Sequence, residues 1–231
     1  MSEQTIEKLK KMRLPIMAEE YQNQKDDPGY QNMTFEERLT LMVDREYDAR
    51  INHTIERNIK NANFYDSNAC LEDINYKPER KINKDLINEL KTNDYIKNGL
   101  SIILIGASGT GKTWISCAFG VNACRQRYRV KYIRLPELKT MKQLSKIDLL
   151  ILDEFLLCST SESERNDILE LMEARSNKKS TILCSQWSPE GWYQKLGEGP
   201  VADAILDRIL NSSYTILLQG KSMREEYSKI K

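Results

Sequence analysis

Apolar positions follow two periods along this chain, and the change from one to the other divides it. Near the start the spacing is helical: Ile6, Leu9 and Met12 recur on one side of a first short helix, and Pro15 can open a second carrying Met17, Ala18 and Tyr21. Asp27, Pro28 and Gly29 make a turn. Thr34-Phe-Glu-Glu37 then matches a capping box, and the long helix it opens sets Phe35, Leu39, Met42, Val43, Tyr47, Ile51, Ile55 and Ile59 along one side. Its other side carries Arg38, Arg45, Arg50, Arg57 and Lys60 among acidic residues. That mixture reads either as a solvated face or as a helix that contacts DNA or a second copy.

Residues 61–80 are polar and turn-rich, with Asn63, Asp66, Asn68, Asp73, Asn75 and Pro78, which predicts a linker. Helical spacing resumes from Ile82 to Leu90. Beyond it the apolar residues bunch into short continuous runs: Leu100 to Ile105, Val130 to Ile133, Leu149 to Leu152, Thr181 to Cys184 and Tyr214 to Leu218. Helical patterns separate them, notably Trp114 to Val121, Ser161 to Arg175 and Pro200 to Asn211. Runs of this kind are strands buried on both faces, so the expected fold is α/β, a five-stranded parallel sheet flanked by helices. The predicted organisation is a helical N-terminal domain over 1–65, a linker over 66–80 and the sheet domain over 81–231.

Composition narrows the class. The chain has 231 residues, enough for one α/β domain and a smaller helical one. A net charge of +1 gives no global sign of nucleic acid, so such contact must come from local patches. Arg125, Arg127, Arg129 and Lys131 form one candidate stripe, which fits phosphate contact or ordinary exposure equally. The five cysteines have no C-x-x-C pairing and read as reduced thiols of a cytosolic protein. The single histidine, His53, lies on a charged helix, which argues against histidine-based catalysis or a zinc site. No apolar run is long enough to span a membrane.

The candidate chemistry starts at Gly106-Ala-Ser-Gly-Thr-Gly-Lys-Thr113, which fits the template G-x-x-x-x-G-K-S/T between a predicted strand and a predicted helix. Small residues let successive backbone amides curl round an anion, and the helix that follows points its free N–H groups to the same place. The phosphate-binding set is Gly106, Ala107, Ser108, Gly109, Thr110, Gly111, Lys112, Thr113 and Trp114. Lys112 reaches the β- and γ-phosphates of a bound nucleotide, the Thr113 hydroxyl ligates Mg²⁺, and Asp153 holds that ion through water. Asp153 and Glu154 end a buried strand, so Glu154 is the expected base for the attacking water. Gln186, at the end of the next core strand, is placed to touch the γ-phosphate or that water.

The sequence resembles the IstB-type helper ATPases of insertion sequences, which group with the DnaC-type helicase loaders among AAA+ ATPases. The resemblance runs through Lys11-Met-Arg-Leu-Pro-Ile-Met-Ala18, Phe35-Glu-Glu-Arg-Leu39, the phosphate loop, Asp148-Leu-Leu-Ile-Leu-Asp153-Glu154 and Leu183-Cys-Ser-Gln186. It continues through Ala202-Asp-Ala-Ile-Leu-Asp-Arg208 and Gly220-Lys-Ser-Met-Arg224. It implies an ATPase that assembles on double-stranded DNA as a homo-oligomer through ATP-bridged interfaces and recruits a transposase. By the same resemblance Gln186 is the first sensor, Arg208 the finger offered to a neighbouring subunit's ATP, and Arg224 the second sensor. A helicase loader and a nucleotide-gated clamp with little turnover are the alternatives. One departure stands out: the chain is shorter than the family between Arg134-Leu-Pro-Glu-Leu138 and Met141-Lys-Gln-Leu-Ser145, a region that relatives use on the DNA-facing surface.

Overall fold

The computed structural model describes residues 2–135 and 141–223. Two compact units divide the chain, Met1–Arg57 and Asn58–Lys231. The first holds α1 (Ser2–Lys11), α2 (Pro15–Asp26) and most of α3 (Phe35–Ala62), which continues into the second. Thr34 and Glu37 form the expected box: Thr34 N donates to Glu37 Oε2 at 2.7 Å, and Glu37 N to Thr34 Oγ1 at 3.3 Å.

The free amides at the start of α2 find a partner on α3. Ile16 N and Met17 N donate to Glu46 Oε2 at 3.0 and 3.1 Å, while Arg50 Nε donates to Glu46 Oε1 at 2.7 Å. A buried carboxylate thus caps a neighbouring helix and meets its positive end. This turns the long helix away from the simplest amphipathic expectation. Met42 and Glu46 face inward, whereas Phe35 and Tyr47 are 71% and 57% exposed. One residue past Glu46 is about 100° further round the helix, so Tyr47 is carried outward.

The segment expected as a linker is packed into the second unit instead. Ala69, Leu71 and Ile74 are buried in the core that also holds Ile115 and Phe119. Phe64 lies so close to Gly120 that a Cβ there would collide with its ring. Its polar residues close local turns, with Asn68 N donating to Asp66 Oδ1 and Lys77 N to Asn75 Oδ1. Apolar residues this sparse carry no period, so the sheet unit begins near Asn58 rather than at 81.

Five strands follow: β1 (Ser101–Gly106), β2 (Val130–Arg134), β3 (Leu149–Asp153), β4 (Ser180–Ser185) and β5 (Ser213–Leu218), in the order β2-β3-β4-β1-β5 with every neighbouring pair parallel. The flanking helices are α4 (Lys84–Leu90), α5 (Asp94–Lys97), α6 (Lys112–Arg125), α7 (Met141–Leu144), α8 (Glu162–Arg175), α9 (Pro189–Lys195) and α10 (Pro200–Leu210). Alternate residues of β1 feed the two faces. Ile102 and Leu104 pack with Ile115 and Phe119 on one, and Ile103 packs with Ile168, Trp192 and Ile205 on the other. The α/β architecture is the one the apolar runs predict; α9, opened by Pro189, is an addition to it.

Where α8 ends, Arg175 is 1% exposed and holds three pieces together. Its Nη1 donates to Leu144 O and Ile147 O at 2.6 and 2.9 Å, its Nε donates to Thr181 Oγ1 at 3.0 Å, and its Nη2 reaches Ser180 O. Burial lowers its pKa to about 10, so the group is still charged at neutral pH. Among the described residues between β2 and β3 the chain forms the single turn α7, and residues 136–140, in the region expected to be short, lie outside the described residues. Among the described residues no helix is long and apolar enough to cross a membrane.

Candidate functional site

Three strand ends meet at one cleft of about 560 Å³, as expected at the carboxyl edge of an open parallel sheet. The loop after β1 forms its floor. Gly109 has φ +79°, and its carbonyl accepts a 2.8 Å bond from Met223 N, so the 220–223 turn lies directly on the loop. Any side chain at Gly109 would meet Ser222. The Lys112 ammonium donates to Gly106 O and Ala107 O at 2.7 and 2.9 Å. Thr110 closes the loop from within, its hydroxyl donating to Ala107 O at 2.8 Å.

Opposite stand the two acids. Thr113 Oγ1 donates to Asp153 Oδ2 at 2.7 Å, so the hydroxyl and carboxylate expected to share a cation already touch. Tyr132 Oη donates to the same oxygen at 2.7 Å, and Glu154 N donates to Asp153 Oδ1 at 2.9 Å. Burial, with the bond to Asp153 next, pushes the Tyr132 hydroxyl far above its ordinary value and keeps it a donor. Glu154 sits at φ +55°, a backbone conformation that a residue with a side chain adopts at some strain, and it lines the cleft. Arg134, at the end of β2, engages that carboxylate at both oxygens.

Ser108, Gly109, Gly111, Lys112, Thr113 and Trp114 line the cleft, and Asp153, Glu154 and Gln186 join them there. Gly106, Ala107 and Thr110 lie beneath as bonding partners of the loop. Arg208 is not at this cleft: on α10 it bonds Glu173 Oε1 and Ala204 O, both at 2.7 Å. Arg224 lies outside the described residues. Of the basic stripe, Arg129 pairs with Asp148 and Lys131 Nζ donates to Asn61 O, so these two are tied to the protein surface itself.

Two contributors escape sequence reasoning. Arg80, from the presumed linker, is buried and donates through Nη2 to Thr110 O at 2.7 Å, bracing the loop from the side. Tyr132 looks like one apolar strand residue among others. The signal that could have found it is its place two residues before the end of β2, beside Ile151 of β3 and so within diagonal reach of Asp153.

A triphosphate fits this cleft: one wall offers loop amides and an ammonium, and the other offers a hydroxyl and a carboxylate 2.7 Å apart. Hard oxygen donors of this kind suit Mg²⁺ with the phosphates completing its shell. Fold and site together define a P-loop nucleotide-binding protein with the AAA+ fold. Solved structures agree on the fold: the DnaC helicase loader aligns with TM-score 0.54 at 18% identity over 66% of this chain and 97% of that one. Replication initiator DnaA bound to AMPPCP and single-stranded DNA aligns with TM-score 0.56 at 20% identity over 69% of this chain and 52% of that one.

Within that class the chain belongs to the IstB-like ATP binding protein family, whose model matches residues 7–230. It is 37% identical over 200 residues to the ATP-binding protein of insertion sequence IS1162 from Pseudomonas fluorescens, covering 80% of this chain and 87% of the relative. An insertion-sequence ATP-binding protein of Sinorhizobium fredii is 32% identical over 234 residues, covering 95% of each chain.

Proposed function

We propose that this protein hydrolyses ATP and acts as the helper of an insertion sequence, assembling as an oligomer on double-stranded DNA and recruiting the transposase. The meeting of Thr113 Oγ1 with Asp153 Oδ2, beside Glu154 and facing the Lys112 loop, is its main support. Loop amides and Lys112 hold the β- and γ-phosphates. Thr113 and Asp153 would hold Mg²⁺, which would supply charge neutralisation at those phosphates. Glu154 takes a proton from the attacking water as its oxygen bonds the γ-phosphorus, and the bond to the β-phosphate oxygen breaks to leave ADP and phosphate. Gln186 orients that water or the γ-phosphate.

Arg208, bonded away from its own cleft, acts in a neighbouring subunit's site, so hydrolysis depends on assembly. Arg224 serves as the second sensor. The relatives' names, ATP-binding proteins of insertion sequences, support the setting. Phosphate release and light scattering, each with and without double-stranded DNA, test it. The expected result is low turnover alone, stimulation by duplex, loss in K112A and ATP-bound oligomers trapped by E154Q. Turnover and oligomeric state both indifferent to duplex in the presence of ATP would overturn it.

A further inference from the structure

We propose that Tyr132 is the positioning residue of the cation-binding carboxylate, fixing the rotation of Asp153 so that one lone pair faces the phosphates. This rests on the nucleotide reading above. Asp153 is held at each oxygen: Oδ1 by the Glu154 amide at 2.9 Å, and Oδ2 by both Thr113 and Tyr132 at 2.7 Å. Those two donors have different tasks. Thr113 is itself a cation ligand, its oxygen offering a lone pair to Mg²⁺ while its O–H goes on donating to Asp153. Tyr132 has no such second task, so its bond at Oδ2 serves the orientation of the carboxylate alone.

The sheet makes the reach possible. In the β2–β3 register Tyr132 lies beside Ile151 and Arg134 beside Asp153, so the tyrosine hydroxyl crosses diagonally to a residue two places on. Phenylalanine would fill the same space and leave the carboxylate oxygen one donor short. Tyr132 and Asp153 are 8% and 5% exposed, so water cannot readily replace that donor.

The test is the full-length Y132F chain, with mant-ATP fluorescence followed as Mg²⁺ is titrated, and Mn²⁺ binding read by electron paramagnetic resonance in the presence of ATP. The expected result is unchanged mant-ATP affinity in EDTA and a Mg²⁺ midpoint raised about tenfold, the usual effect of losing such an outer partner. A merely structural hydroxyl would alter melting but leave that midpoint in place. In the D153N background, removing the hydroxyl should shift the midpoint no further. A wild-type midpoint in Y132F, or a shift that adds fully to D153N, overturns the proposal while leaving the nucleotide site standing. Wild-type protein whose mant-ATP binding ignores Mg²⁺ overturns the reading on which it rests.

Discussion

Arg134 grips Glu154 by both carboxylate oxygens, with Nη2 at 2.9 Å from Oε1 and 2.8 Å from Oε2, and Nε at 3.1 Å from Oε2. A carboxylate held this way has fewer lone pairs open to a water, so the pair restrains Glu154 as a base. The two side chains are 50% and 31% exposed. A pair so open to solvent is worth about 0.2–1 kcal/mol, so R134A should raise phosphate release without DNA by up to about fivefold. A colorimetric phosphate assay reads this directly, and a slower variant would show that Arg134 helps Glu154 rather than restrains it.

Gly109 is the loop position where backbone and space agree in demanding glycine. At φ +79° a side chain costs about 1–2 kcal/mol from handedness alone, and here it would also push Ser222 and the 220–223 turn off the loop. G109A should therefore lose the rise in melting temperature that ATP gives the wild type. Gly199 supplies the control, since it has φ +84° with nothing within 4 Å of an added Cβ. G199A should lower the melting temperature of the free protein comparably yet keep its response to ATP.

The sheet was legible because its strands are buried on both faces, and unbroken apolar runs such as Leu149 to Leu152 have few other meanings. The phosphate loop and the acidic pair were legible for a related reason: backbone shape and charge at fixed spacing define them. Arg80 was not, because its role is a donor aimed at a backbone carbonyl thirty residues away, which leaves no local pattern. Nor was the packing of Ala69, Leu71 and Ile74, where three apolar residues among many polar ones are each buried singly. The inward turn of Glu46 escaped as well. Periodicity assigns a carboxylate to solvent, whereas the unpaired amides of α2 draw it in.

Glu46 also gives the N-terminal unit a response to acid. Burial alone would push its carboxyl up, but bonds from Arg50 and from the Met17 and Ile16 amides outweigh that and hold it below the ordinary 4.5. A depressed carboxyl contributes stability that is fully present above its unfolded value and fades as pH falls through the folded one. The unit should therefore lose helix as pH drops below 4.5, with E46Q less stable at pH 7 by about 1 kcal/mol and flatter across the same range. Circular dichroism against pH checks both; equal acid profiles for the two proteins would remove Glu46 from the account.

Ser185 joins the two loops that carry Glu154 and Gln186. Its hydroxyl donates to Phe155 O at 2.8 Å and accepts from Trp192 Nε1 at 2.8 Å and Trp187 N at 3.1 Å, while the Phe155 and Trp192 rings meet edge to face at 5.0 Å. Alanine would leave a fully buried indole N–H and a carbonyl without partners, at about 2–4 kcal/mol in a urea titration. The bonds of this hydroxyl go to Phe155, Trp187 and Trp192, away from the phosphate loop, so nucleotide should still bind. What should suffer is alignment, because Phe155 follows Glu154 directly and Gln186 follows Ser185. S185A is thus expected to keep mant-ATP affinity within about twofold while single-turnover hydrolysis falls by about tenfold, the scale on which a small misplacement of reacting groups is felt. Affinity and rate falling together would instead place the damage in the fold as a whole.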